Sequence, residues 1–318
     1  MGTEPGSNMT AAAHVLRKVA LDEGLKARVA KDPDLRRLAA RVARRYVAGD
    51  RREDALDRAR QVSAAGHRVT VDFMGESART RAVVDAATDE FLDLVTSLRD
   101  GQLGGSVSLD LSHLGSVLDR ELGRANVARI AEATAAGGME LLISMEGHDR
   151  VDQILEDHRW LCERFDHVGV TLAARLHRTE DDLAGVLQCP GRIRLVKGAY
   201  DTPADIALAR EDPELTTRFD RYVDQLLDSG HACSIATHDA DRLAHLHEYV
   251  QQQDAHERPY VVEMLAGLDS GRLDEMRDLG HPTQEYIVYG TEWWLYVCNR
   301  IAEEPTRLFD ALVDAADA

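Results

Sequence analysis

Eight short β-branched runs, stretches of about 20–35 residues with helical periodicity between them, and a chain of 318 residues together predict an α/β fold, a (β/α)8 TIM-like barrel preceded by N-terminal helices. The runs are residues 68–73, 106–111, 139–145, 168–173, 192–197, 231–236, 260–265 and 285–289. Strands that alternate with helices pair in parallel, and eight of them suffice to close a barrel. An open doubly wound sheet is the alternative. Such sheets usually carry a glycine-rich phosphate loop after the first strand, and neither G-x-G-x-x-G nor G-x-x-x-x-G-K occurs here.

Residues 1–8 are rich in Gly, Ser and Pro and are expected to be disordered. Residues 9–66 are expected to form helices that pack on the barrel. Asp32 reads as an N-cap with Pro33 in the first turn; Leu35, Leu38, Ala39, Val42 and Tyr46 follow at helical spacing, and Gly49 is expected to stop that helix. A further helix is predicted over about residues 53–64, ended by Gly66. Residues 67–318 form the predicted barrel, with helical crossovers such as 151–165 and 215–227. No low-complexity tract and no second domain is evident.

The formal net charge of −18 argues against a nucleic-acid partner, because phosphate binding needs a basic face. Lys18, Lys26, Lys31 and Lys197 are the only lysines among 38 basic residues, which singles out Lys197 in the barrel. Cys162, Cys189, Cys233 and Cys298 lie far apart in sequence without C-x-x-C spacing, so reduced core thiols are expected rather than zinc or a disulfide framework. No apolar run reaches transmembrane length and no signal-peptide pattern opens the chain. A soluble cytoplasmic protein is expected, with peripheral membrane contact left open.

Active-site residues of a barrel sit at the C-terminal ends of its strands. Those ends offer Asp72 and Glu76, Asp110 and His113, Ser144 and Glu146, Arg175, Arg194 with Lys197 and Tyr200, Thr237 with His238 and Asp239, Glu263, and Tyr286 with Tyr289. Arg194 and Lys197 are expected to face the barrel interior, where a cation needs an anionic or electron-rich partner. A ligand and a buried Asp or Glu from a neighbouring strand both meet that need. Gly198 allows close backbone approach. His245, His247 and His256 are expected on one surface helix, and no H-E-x-x-H spacing points to a catalytic metal.

The run 194–200 (RLVKGAY) resembles the strand-five signature of proline dehydrogenases. The resemblance extends over nearly the whole chain: residues 71–76 (VDFMGE), 107–115 (VSLDLSHLG), 168–180, 236–239 (ATHD), 264–268 (MLAGL), and 286–303 ending in NRIAE. It implies a distorted barrel that binds FAD without a dinucleotide-binding domain. It also implies oxidation of L-proline to 1-pyrroline-5-carboxylate by hydride removal to the flavin, with a quinone or other electron acceptor downstream. By resemblance, Arg194 sits near the flavin N5. Val196, Lys197 and Gly198 line the cofactor, with Thr237, His238 and Glu303 contacting it, and Ala173 stands where the family has a glutamine.

The substrate positions implied by the resemblance are Arg194, Tyr200, Tyr286, Tyr296, Arg300, Asp110, Ser144, Asn299 and Leu265. Several depart from the family pattern. Two adjacent arginines and a lysine normally hold proline's carboxylate; here those positions are Asn299, Arg300 and Asp110. Ser144 replaces an aspartate and Arg175 an aromatic residue. A pocket so altered implies oxidation of L-proline or of a related cyclic or secondary amine. The competing expectation is a barrel that has lost catalysis and serves as a partner protein.

Overall fold

The computed structural model describes residues 5–75, 77–200 and 202–317; the expectations for residues 1–4 and for Glu76 lie outside the described residues. Four helices lead the chain: α1 (Pro5–Ala20), α2 (Glu23–Lys31), α3 (Pro33–Ala43) and α4 (Arg52–Ala64). Residues 5–8 therefore open a helix, where disorder was expected from their composition. Asp32 caps α3 as predicted, accepting from the amides of Asp34 and Leu35. That helix ends at Ala43, ahead of Gly49, because the chain turns there to insert Tyr46 into a core with Val47, Met74, Val288, Val297 and Ile301.

Eight parallel strands follow: β1 (Arg68–Phe73), β2 (Gly105–Leu109), β3 (Glu140–Ile143), β4 (Val168–Ala173), β5 (Ile193–Val196), β6 (Cys233–Ala236), β7 (Tyr260–Leu265) and β8 (Thr283–Tyr289). Each pairs with the next, and β1 closes on β8 from Arg68↔Gln284 to Phe73↔Tyr289. The crossovers are α5 (Arg81–Asp100), α6 (Arg120–Ala136), α7 (Val151–Cys162), α8 (Thr179–Val186), α9 (Pro213–Ser229), α10 (Ala240–Gln252) and α11 (Ser270–Asp278). Helices α12 (Trp294–Glu303) and α13 (Arg307–Asp317) close the chain. Aspartates 119, 212, 239 and 269 accept from first-turn amides of α6, α9, α10 and α11, each such cap contributing about 1 kcal/mol.

Alternation along the strands divides the side chains. Val69, Val71, Val107, Leu109, Leu141 and Ile143 join Phe91, Leu94, Ile130 and other helix residues in the main apolar core. The opposite face is polar. Thr70 of β1 donates to Glu263 of β7 at 2.8 Å, and Arg194 of β5 reaches Ser108 of β2 at 3.1 Å. Neither pair lies on neighbouring strands, so these bonds cross the barrel interior. The barrel is thus apolar toward its helices and hydrogen-bonded through its centre.

The N-terminal helices reach the C-terminal part of the chain. The Trp294 indole donates to the Val19 carbonyl at 3.1 Å, and Arg58 on α4 forms a bidentate pair with Glu285 on β8 at 2.7 and 2.8 Å. Among the described residues no helix is long and apolar enough to cross a membrane.

Candidate active site at the barrel mouth

Strand ends aim the side chains of the site. Three strands stop before the residue predicted to end them: β2 at Leu109, β3 at Ile143 and β5 at Val196. Asp110, Ser144 and Lys197 therefore stand on the first residue of each following loop, at the C-terminal rim. The Ser144 amide still donates to Leu109 at 2.9 Å, and its hydroxyl meets Ser108 at 3.1 Å.

A cavity of about 170 Å³ opens at this rim, lined among others by Asp72, Asp110, Ser144, Tyr200, Tyr286, Glu292, Tyr296, Asn299 and Arg300. Seven of the nine substrate positions read from sequence thus share one cavity. Arg194 lies against it, with its guanidinium 4.8 Å from the centre of the Tyr286 ring. Leu265 does not line it; its amide donates to His238 Nε2 at 3.0 Å.

Arg194 is 4% exposed and pairs bidentately with Glu263, 2% exposed, at 2.8 and 2.9 Å. The buried ion pair allowed by the sequence is therefore present. Burial works to raise the Glu263 pKa, but the Arg194 charge and hydrogen bonds from Arg194, Thr70 and Gln284 hold it below its usual value. Lys197 does not share the interior with Arg194. Three residues apart is an odd spacing, which turns the two to opposite sides, and Lys197 pairs with Asp239 at 2.6 Å in a partly exposed position.

Tyr286 donates to the Asp72 carboxylate. Burial raises Asp72 to about 6, against the lowering effects of that hydrogen bond and of Arg194. Arg300 lies over the Tyr296 ring at 5.5 Å and pairs with Glu303 at 2.7 Å. The Tyr296 hydroxyl and Arg300 Nε are buried with no hydrogen-bond partner among the described residues. The cavity wall therefore carries three carboxylates and one guanidinium, plus polar atoms that a ligand would satisfy.

Arg175 has a structural role that its sequence position did not suggest. It is buried and donates to the Leu208 carbonyl at 3.0 and 2.8 Å and to the Tyr200 carbonyl at 2.6 Å. It thereby pins the loop that carries Tyr200 over the rim. Gly198 in the same loop has φ +111°, and a Cβ there would lie 2.8 Å from the Arg175 side chain. Only glycine suits both demands.

A sequence profile described as proline dehydrogenase matches residues 55–296, which span the barrel strands. The chain belongs to the proline dehydrogenase family. Proline dehydrogenase 1 of Bacillus subtilis is 28% identical over 265 residues, covering 83% of this chain and 87% of that protein. Proline dehydrogenase of Deinococcus radiodurans is 30% identical over 287 residues, covering 87% of this chain and 92% of that protein. The solved structure of proline utilization A from Bdellovibrio bacteriovorus, inactivated by N-propargylglycine, superposes with a TM-score of 0.75 at 15% identity. It covers 95% of this chain but only 41% of that longer one, and the likeness is one of fold. As a proline dehydrogenase family member, the chain is an oxidoreductase acting on CH–NH groups.

Sequence reasoning missed Glu292, which follows β8 in the loop to α12, lines the cavity and pairs with Lys26 of α2 at 2.7 Å. No local pattern marks a pair separated by 266 residues. The expected surface helix of three histidines is also corrected. His245 and His247 lie on α10, but His256 lies beyond its end, with its ring 6.2 Å from that of His281.

Proposed function

We infer that this protein is an FAD-dependent dehydrogenase that oxidises the C–N bond of L-proline or of a related cyclic or secondary amine. The observation that carries this is the rim cavity, in which tyrosines 200, 286 and 296 meet Arg300 above the buried Arg194–Glu263 pair. The proline dehydrogenase family is flavin-dependent in general. The residues here fit a flavin. His238 Nε2 accepts the Leu265 amide, so in the neutral ring the proton is on Nδ1. That nitrogen is buried with no partner among the described residues. Burial lowers the His238 pKa to about 4, which keeps the ring neutral and leaves a donor waiting for a polar ligand.

Val196, Lys197, Gly198, Thr237, His238, Glu303 and Ala173 would hold the cofactor, with Arg194 close to it. Bound FAD would accept a hydride from the amine's α-carbon and pass its electrons to a quinone or another acceptor. Arg194, held rigid by Glu263, would offer a fixed positive charge next to the reduced ring without reorganising. The tyrosines would bracket the small amine, and Asp72 would orient Tyr286. The four free thiols support action in a reducing compartment such as the cytoplasm.

The test is anaerobic mixing of purified protein with a panel of cyclic and secondary amines. Loss of the flavin's visible absorbance with at least one of them is expected. Protein that takes up no FAD, or bound flavin that no amine bleaches, would favour the non-catalytic partner protein instead.

A pH dependence follows from Asp72. Because its pKa is raised to about 6, the group is neutral below that pH and anionic above it. Affinity for a protonated amine should therefore strengthen as pH rises through about 6, and Asp72→Asn should remove this limb. The rate of flavin reduction should rise separately toward the amine's own pKa, since hydride leaves only the neutral amine. Binding and single-turnover rates measured between pH 5 and 9 distinguish the two limbs; a limb near 6 that persists in Asp72→Asn would clear Asp72 of the role.

A further inference from the structure

The fold joins three soft-metal ligands that the sequence keeps apart. Cys162 ends α7, and His158 lies one turn earlier on the same helix face. Cys189 comes from the connection between α8 and β5. The ligand atoms of all three lie within 4.8 Å of one another. His158 Nε2 is 3.2 Å from Cys162 Sγ. A tetrahedral metal with bonds of about 2.3 Å to sulfur and about 2.0 Å to nitrogen sets its S and N ligands about 3.5 Å apart. The triad stands close to that spacing.

We propose that His158, Cys162 and Cys189 form a zinc-binding site at the N-terminal face of the barrel. Two sulfurs and an imidazole select zinc over magnesium or calcium, which prefer oxygen ligands. The ligands are held in place beforehand. The Cys189 amide donates to Val186 at 2.9 Å, and its carbonyl accepts from His231 Nε2 at 2.7 Å. His158 is fully buried, whereas both cysteines are partly exposed, which leaves an approach for the ion. The fourth position is left to water or to the Val168 carbonyl, 3.2 Å from His158 Nε2 and 3.6 Å from Cys162 Sγ.

Binding requires deprotonation. Each thiol loses its proton to solvent, so uptake releases two protons and weakens as pH falls. Burial pushes the Cys162 thiol up to about 12 in the metal-free protein, so zinc must displace a firmly held proton there and uptake strengthens as pH rises. With zinc on Nε2, the imidazole proton moves to Nδ1, which is buried without a partner among the described residues. That missing second contact keeps the affinity below that of sites whose histidines are hydrogen-bonded. The site borders Val168, the first residue of β4, and the loop before β5, at the opposite end of the strands from the cavity. Zinc there would tie α7 to the α8–β5 connection and stabilise the barrel without entering the chemistry.

The experiment uses untagged, reduced, chelator-treated protein, one portion dialysed against zinc and another, metal-free, titrated with cobalt in difference spectra against its own flavin background. One zinc per chain is expected. Cobalt should give a near-ultraviolet thiolate charge-transfer band that imidazole clusters cannot produce. Cys162→Ser and Cys189→Ser should each weaken zinc binding at least tenfold and abolish the band. His247→Asn, in the separate histidine cluster, should leave it unchanged. Zinc should also raise the melting temperature of the parent but not of the cysteine variants. Cys189→Ser lies in a loop and carries the test if Cys162→Ser does not fold. Absence of stoichiometric zinc, a band that survives both cysteine changes, or a Cys162–Cys189 disulfide forming in place of metal uptake would each overturn the site.

Discussion

Glu263→Ala is expected to destabilise the protein by about 3–5 kcal/mol, the range for removing one partner of a buried ion pair. Arg194 and Glu263 are 4% and 2% exposed and joined by two bonds of 2.8 and 2.9 Å. Truncating the acid leaves a guanidinium without its counter-charge at the barrel centre. It also removes the acceptor for Thr70 at 2.8 Å. Replacing both members by apolar residues, as in Arg194→Met with Glu263→Leu, should recover much of the loss, because no lone charge remains. The pH dependence has a definite sign. The folded Glu263 pKa is depressed, so its contribution is complete above the unfolded value of about 4.3 and disappears as pH falls through the folded value. Urea midpoints of parent, single and double variants between pH 3 and 7 measure all of this. A loss under about 1 kcal/mol would mean that the pair behaves as an exposed one. Arg194→Ala should in addition lower the flavin's reduction potential, and an unchanged potential would remove Arg194 from its assigned place beside the reduced ring.

Asp110→Lys combined with Asn299→Arg is expected to raise kcat/KM for L-proline by at least about 100-fold, or about 2.7 kcal/mol at 1.36 kcal/mol per tenfold. The parent should turn L-proline over poorly, below about 10⁴ M⁻¹s⁻¹. Asp110 and Asn299 line the same cavity as Arg300. Two unit charges about 4 Å apart interact by about 4 kcal/mol at an effective dielectric near 20. Changing a repulsive carboxylate for an attractive ammonium therefore makes up to about 8 kcal/mol available, reduced by screening and by the contacts Asp110 already makes. The double change should exceed either single one, since both new cations would address one carboxylate. Steady-state kinetics with L-proline decide the matter. An efficient parent enzyme would mean that side chains rearrange to accept the carboxylate. No gain from the pair would move the carboxylate site elsewhere, or place the defect at Ala173 and Ser144.

Local pattern carried much of the fold. β1, β4 and β7 have the predicted bounds, because each is a six-residue run rich in β-branched side chains that holds ladder bonds to its ends. β2, β3 and β5 stop short of Asp110, Ser144 and Lys197. There the chain turns over the rim, and a residue that leaves the ladder looks the same in sequence as one that stays in it. Motif resemblance likewise assembled most of the cavity, as Tyr200, Tyr286, Tyr296, Asn299 and Arg300 do meet. It did not assemble Leu265 with them, because a residue in a matched segment need not point into the space that the segment borders.

By itself, the sequence determined the parallel eight-stranded order, the leading helices, the family and the rim on which polar residues gather, since all of these depend on periodicity and on motifs read along the chain. Three-dimensional closure alone settled which polar side chains meet. Arg194 met Glu263 across the barrel, Lys197 met Asp239, Lys26 met Glu292, and His158 and Cys162 met Cys189. Closure of the sheet and the docking of helices bring such residues together, and for Arg194 and Glu263 the selection acts through burial. A charge shut away from water keeps its ionised form only beside an opposite charge at bonding distance, and the identity of that neighbour is a property of three-dimensional register, which one-dimensional spacing does not carry.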